Sequence, residues 1–159
     1  MNVEIDEVQK YGFYGRLSPE FPSQVIVDVT EVCNLACTHC PHPEFKKTTH
    51  YGARYLSPEL NTKMVDEVRD CGRGHAQYIR YTSNGEPLVH PKIYDMLQYG
   101  VEHSGVLVAL TTNGTILHQE RIEKLLASGL HIIDISIDAF NDETYAKIRK
   151  NGSLKVTRG

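Results

Sequence analysis

No stretch of this 159-residue chain approaches the roughly 20 consecutive apolar residues that a membrane-crossing helix needs. Neither sign of charge collects in one place. The 17 basic and 20 acidic residues, net −3, are spread along the chain, leaving no stripe for nucleic acid and no polybasic anchor for a membrane surface. Residues 1–10 alternate acidic and apolar side chains without the positive end and apolar core of a secretory signal, so the expected location is cytoplasmic. Cysteine is scarce, four in all, which argues against a disulfide framework and for a reducing compartment. Three of the four are nevertheless crowded together, at Cys33, Cys37 and Cys40.

Those three sit on a loop that opens from an apolar, β-branched run containing Val25, Ile26, Val27 and Val29. Three thiolates on one short loop make a cradle for a metal cluster, and the odd count leaves one coordination position open for chemistry. The competing reading is a zinc site with His39 or His42 as fourth ligand. Structural zinc motifs usually come as separated C-x2-C pairs, which favours the cluster. Cys71 falls on the apolar face of a predicted helix and is expected to be a small buried hydrophobe.

The remainder of the chain is regular. Residues 1–22, with Tyr11, Tyr14 and a proline-bearing stretch at 18–22, read as an irregular lead-in, and residues 23–159 as one α/β domain. Valine- and isoleucine-rich runs at 25–29, 78–81, 106–110 and 132–137 predict buried strands. Helical spacing follows each of them. Met64, Val65, Val68 and Cys71 share one face, as do Ile93, Met96, Leu97 and Val101; Ile122, Leu125 and Leu126 mark a third helix, Tyr145 and Ile148 a fourth. Ser57-Pro58 and His90-Pro91 signal helix starts, while Gly72, Gly129 and Ser104-Gly105 signal ends. Alternating strands and helices predict parallel βαβ units. Four units are half of an eight-unit barrel, which usually needs about 250 residues, so the expected fold is a partial (β/α) barrel, an open half apparently truncated at its C-terminus. Its open edge after the fourth strand predicts self-association or pairing with a missing C-terminal half.

In parallel α/β sheets ligands gather at the carboxyl ends of the strands. All four exits are chemically distinctive: the cysteine loop, then Thr82-Ser83-Asn84-Gly85-Glu86-Pro87, then Thr111-Thr112-Asn113-Gly114, then Ser136-Ile137-Asp138. Gly85 and Gly114 are expected to let backbone approach a ligand closely and to adopt positive φ. No basic residue occurs in the second to fourth exits, so a small ligand with an amine, a carboxylate and hydroxyls suits them better than a phosphate. The Gly72-Arg73-Gly74 turn precedes a strand instead of following one, which makes it a weak phosphate loop. Glu31, Glu123, Lys124, Asp134 and the Lys46-Lys47 pair are expected on solvated faces or barrel ends. His90 is expected in a cap or turn, and His42, two residues past the cysteine loop, is a candidate to touch substrate or cofactor.

The C-x3-C-x2-C loop after the first strand resembles the defining motif of radical S-adenosylmethionine (radical SAM) enzymes. Residues 84–87 resemble that superfamily's GGEP motif, with Asn84 in place of the usual first glycine, and the third and fourth exits are similar to its later strand motifs. The likeness is greatest to members with a C-terminal SPASM extension, and less to the activases that install a glycyl radical. It implies that Cys33, Cys37 and Cys40 bind three irons of a 4Fe-4S cluster and that S-adenosylmethionine chelates the fourth. It further implies that His39 lies by the adenine, that Asn84, Gly85, Glu86 and Pro87 form the stretch receiving the methionyl amine, and that Thr112, Asn113 and Ser136 lie near the ribose or carboxylate. Asp138 and Arg149 complete the implied set. The implied activity is reductive cleavage of S-adenosylmethionine to a 5′-deoxyadenosyl radical that takes hydrogen from a peptide or small-metabolite substrate. An external electron donor such as flavodoxin or ferredoxin is implied, with no nucleic-acid or membrane partner. The alternative is a truncated, non-catalytic iron-sulfur module that binds a partner or awaits a complementing half.

Overall fold

The structure, a computed structural model, describes residues 18–158. Most of the lead-in, Tyr11 and Tyr14 included, therefore lies outside the described residues. Four strands form one parallel sheet in sequential order: β1 (Gln24–Asp28), β2 (Tyr78–Thr82), β3 (Leu107–Thr112) and β4 (Ile132–Ile135). Helices α1 (His42–Phe45) and α2 (Pro58–Cys71) connect the first pair of strands, α3 (Ile93–His103) the second and α4 (Gln119–Ala127) the third. Helices α5 (Asp142–Ile148) and α6 (Leu154–Arg158) follow β4. Each strand pairs with its sequence neighbour, the arrangement of half a (β/α) barrel. Among the described residues no helix is long and apolar enough to cross a membrane.

Helix boundaries follow local chemistry. The Ser57 side chain accepts from Leu60 N–H at 3.2 Å and Pro58 occupies the first helical position of α2. The other proline signal shifts. Pro91 lies in the turn before α3, which begins only at Ile93, and His90 spans that turn by accepting from Lys92 N–H through Nδ1 at 3.0 Å. Its Nε2 then donates to Leu56 O at 2.8 Å, which gives His90 the turn role expected of it.

The core lies between the outer face of the sheet and the helices. Val27, Ile79, Tyr81, Val108 and Leu110 meet Val65 and Val68 of α2, Ile93, Met96 and Leu97 of α3, and Leu125 of α4. Each such large side chain contributes roughly 2 kcal/mol when fully buried.

The periodicity misses where packing stops. Cys71, at the last residue of α2, is exposed instead of buried, because the buried stripe runs through Asn61, Val65, Val68 and Gly72 and leaves it over solvent. Ile122 and Leu126 of α4 are exposed for the same reason, only Leu125 reaching the core. Strand β4 departs most from expectation. Its three isoleucines are about two-fifths exposed, because it is the sheet edge and no helix covers it as α2 and α3 cover β2 and β3. On the other face, Arg80 bonds Thr111 Oγ1 at 3.1 Å and pairs with Asp134, which is therefore an ion-pair partner and not a free surface charge.

Candidate active site

The carboxyl ends of the four strands enclose a cavity of about 240 Å³. Its wall includes Cys33, Cys37 and Cys40 together with His39 of the same loop and Asn84, Gly85, Glu86, Pro87, Thr112, Asn113 and Ser136 of the other exits. Eight of the nine residues expected to bind cofactor thus share one cavity with all three cysteines. The ninth, Asp138, lies outside it and accepts from Arg149 Nε at 2.6 Å, while Arg149 itself lines the wall. Leu35, Thr82, Ser83 and Thr111 also line it; they belong to the exit loops read from the sequence, which gave them no binding role of their own.

Glu86 joins two exits. Its Oε1 accepts from Leu88 N–H at 3.1 Å and Thr112 Oγ1 at 2.6 Å, and its Oε2 accepts from Asn113 N–H at 2.8 Å. The Leu88 bond caps the short 3₁₀ turn Pro87–Val89, which explains a proline directly after this carboxylate. Burial pushes the Glu86 carboxyl up, while Asn113 N–H, Thr112, Leu88 N–H and the charge of Arg149 pull it down. The chain continues inward from there: Asn113 Nδ2 donates to Asn34 Oδ1 at 2.9 Å, tying the third exit to the cysteine loop. Asn34, inside the cysteine motif, is a positioning residue that only the structure identifies.

The two glycines differ. Gly114 has the expected positive φ, 72°. Gly85 does not; it packs against the first exit, donating its N–H to Thr30 O at 3.2 Å, while Glu86 N–H goes to Val32 O at 2.8 Å. An added Cβ at Gly85 would lie 2.6 Å from Thr30 O and closer still to Val32 O. The close approach expected of Gly85 is therefore made to its own chain. Asn84, where the motif has glycine, donates Nδ2 to Asp28 Oδ2 at 2.9 Å, and Ser83 Oγ donates to Asp28 Oδ1 at 2.6 Å. Asp28, the last residue of β1, anchors this loop.

Behind the cysteines, Glu31 stands at the solvated rim but is not a free charge. It pairs with Arg54, accepting from Nε at 2.8 Å, and also accepts from Gly52 N–H at 2.9 Å and Arg54 N–H at 3.1 Å. The Arg54 guanidinium holds the Glu31 carboxyl down at about 2. His42 is turned away from the cavity: it is buried, donates Nε2 to Glu31 O at 2.7 Å, and meets the Tyr51 ring edge-on. It is a structural residue of the loop.

All four cysteines are free thiols. Burial pushes the Cys33 thiol up, with Glu86 and the other two cysteines acting the same way; burial also raises Cys37, against the opposing charge of Arg149. The part-buried Cys33 and Cys37 thiols thus ionise less readily than a free cysteine, and positive charge beside them would favour the thiolate. Among the described residues no three His, Cys, Asp or Glu side chains converge on a point that would hold a single metal ion. Three cysteines and the polar groups of the other exits lining one cavity are a donor set that suits a polynuclear cluster with an organic ligand.

A family model described as the radical SAM superfamily matches residues 27–158. The AdoMet-dependent heme synthase of Methanosarcina barkeri is 35% identical over 128 residues, which cover 80% of this chain and 34% of that protein. The GTP 3′,8-cyclase of Desulforamulus reducens is 35% identical over 129 residues, 80% of this chain and 38% of that protein. The solved structure of anSMEcpe with bound AdoMet superposes with a TM-score of 0.67 at 21% identity, covering 87% of this chain and 39% of that one. The chain thus spans about a third to somewhat under half of the length of the curated relatives it matches. It belongs to the radical SAM superfamily, a family of enzymes whose cofactors are a 4Fe-4S cluster and S-adenosylmethionine.

Proposed function

We propose that this radical SAM chain uses the cavity at its strand ends to hold a 4Fe-4S cluster on Cys33, Cys37 and Cys40 and S-adenosylmethionine against it. One observation carries the reading: the Glu86 carboxylate bonds Thr112 and Asn113, and Asn113 bonds Asn34, so the second and third strand exits are tied to the first, the loop that carries the three cysteines, around one cavity. When bound, the two cofactors supply a one-electron reduction that yields a radical able to take hydrogen from a peptide or small metabolite.

The chain's own residues bind and orient. Asn84, Pro87 and the rim of Glu86 receive the methionyl amine, though the Gly85 and Glu86 amides, being bonded to Thr30 and Val32, leave side chains and carbonyls as the groups available for it. Ser136 and Thr112 lie toward ribose and carboxylate. Arg149, held by Asp138, brings a buried positive charge beside Cys37, and His39, 3.9 Å from Asp138, lies at the outer lip for the adenine. An external electron donor and a cytoplasmic setting complete the reading, since the exposed side of the cysteine loop needs both a reductant and a reducing compartment.

A second reading is a module that holds the cluster without turnover until a complementing half covers it, favoured by the exposed isoleucines of the β4 edge. One experiment separates them. Anaerobic reconstitution should give a broad brown absorbance that Cys37→Ala abolishes, and dithionite with S-adenosylmethionine should then give 5′-deoxyadenosine. Zinc in place of iron, or an unchanged spectrum in the variant, defeats both readings; a full cluster without the nucleoside product favours the second.

A further inference from the structure

The cysteine loop is held from a distant part of the chain. Thr38 N–H donates to Ile148 O at 2.8 Å, a partner 110 residues downstream, and Ala36 N–H donates to Lys150 O at 3.0 Å. The Thr38 hydroxyl adds a second, longer bond to Ile148 O at 3.3 Å. As the loop advances from 36 to 38 the partners retreat from 150 to 148, so the two segments run antiparallel and Cys37 stands opposite Arg149. Both bonds flank one proposed iron ligand.

Those carbonyls are available only because α5 stops where it does. In a continuing helix Ile148 O and Lys150 O would accept from amides four residues on. Instead the backbone leaves the helix at Arg149, with φ −101° and ψ 72°, and Gly152 N–H returns to Arg149 O at 2.8 Å to close a tight turn. Asn151 sits in that turn at φ 72°, a region that glycine and asparagine tolerate and β-branched residues do not. The turn is seated on buried Tyr145, whose ring lies 3.1 Å from where a Gly152 Cβ would be and whose hydroxyl meets Thr157 Oγ1 at 2.9 Å. Nothing in the cysteine motif encodes this arrangement.

We infer that Asn151 is a positioning residue for the cluster loop: its left-handed turn aims the carbonyls of Ile148 and Lys150 at the amides on either side of Cys37 and so sets how firmly that cysteine keeps its iron. The inference rests on the functional reading above, in which Cys37 is an iron ligand.

The test uses the full chain, reconstituted anaerobically, with iron release to a ferrous chelator followed by absorbance and the thermal midpoint measured on the same samples. Asn151→Val should release iron roughly tenfold faster than wild type, the left-handed penalty of an ordinary residue expressed as a rate. Asn151→Gly, which preserves the turn, should match wild type, with Asn151→Ala between them, and the electron paramagnetic resonance line shape of the reduced cluster should change in the same order. Equal release from Asn151→Val and wild type overturns the inference. Where Asn151→Val does not fold, Asn151→Ala against Asn151→Gly decides by the same rates. Wild-type chain that takes up no iron at all defeats the functional reading itself, an outcome distinct from equal rates in a loaded protein.

Discussion

Glu31 and Glu86 are both glutamates just beyond a parallel strand, and both gather donors from a neighbouring loop, yet their environments push them in opposite directions. Glu31 stands at the rim with an arginine, and its carboxyl falls to about 2; Glu86 is buried among neutral donors, and its carboxyl rises. Exposure to water and a cation separate the two, since each favours the charged form and Glu86 has only the distant Arg149. A rim carboxylate of this kind fastens a loop at little cost, whereas a buried one commits three donors that have no water to fall back on. The rim is therefore replaceable and the floor of the cavity is not.

The sharpest way to break that comparison is Glu86→Ala, which strands Thr112 Oγ1, Asn113 N–H and Leu88 N–H and should cost about 4 kcal/mol in urea unfolding. Gly85→Ala should follow at about 3 kcal/mol, because the new Cβ meets the carbonyls of Thr30 and Val32 and the backbone must shift. Gly114→Ala should cost less, about 1 kcal/mol, since its obstacles are the methyl ends of Ile135 and Thr157 and the strain lies mainly in φ. Glu31→Gln should leave the unfolding midpoint almost unmoved and change chiefly the amide resonances of Gly52 and Arg54.

The smallest effect is a titration order read by amide NMR. As pH falls from 7, the Asn113 amide should move first, because Glu86 protonates above the usual carboxylate range. The Gly52 and Arg54 amides should move only near pH 2. The signs follow from linkage. The Glu31 carboxyl is lowered on folding, so its stabilisation is complete above its ordinary value of 4.5 and is lost as pH falls from there toward about 2. The Glu86 carboxyl is raised, so acid removes a buried charge instead of a favourable one. A reversed order would show that the rim and the floor do not differ as described.

Much of the fold could be read from local pattern, and the misses share a cause. Periodicity located all four strands within two residues at either end, because the β-branched runs and their helices are short-range signals. It misjudged Cys71, Ile122, Leu126 and the isoleucines of β4, which carry apolar side chains where no second layer arrives. Gly85 and Gly114 looked alike in sequence because both end a strand exit. Only the structure distinguishes them, one wedged against the carbonyls of Thr30 and Val32, the other in a turn at φ 72° faced by the methyl groups of Ile135 and Thr157. Asp28, Asn34 and Arg54 carried no signal, since a hydrogen bond to a residue 20 or more positions away leaves no period to detect.

By itself the sequence determined the chemistry available: three cysteine thiols on one short loop, polar exits without basic residues, and alternating elements that bring strand ends to one side. Spacing along the chain was enough, because strands and helices repeat with fixed periods. Tertiary structure alone decided which of those groups face the cavity and which hold one another. Glu86 reaches Thr112, Asn113 reaches Asn34, and Thr38 leans on a carbonyl 110 residues away because the sheet sets those exits side by side, and that proximity is written in no local stretch.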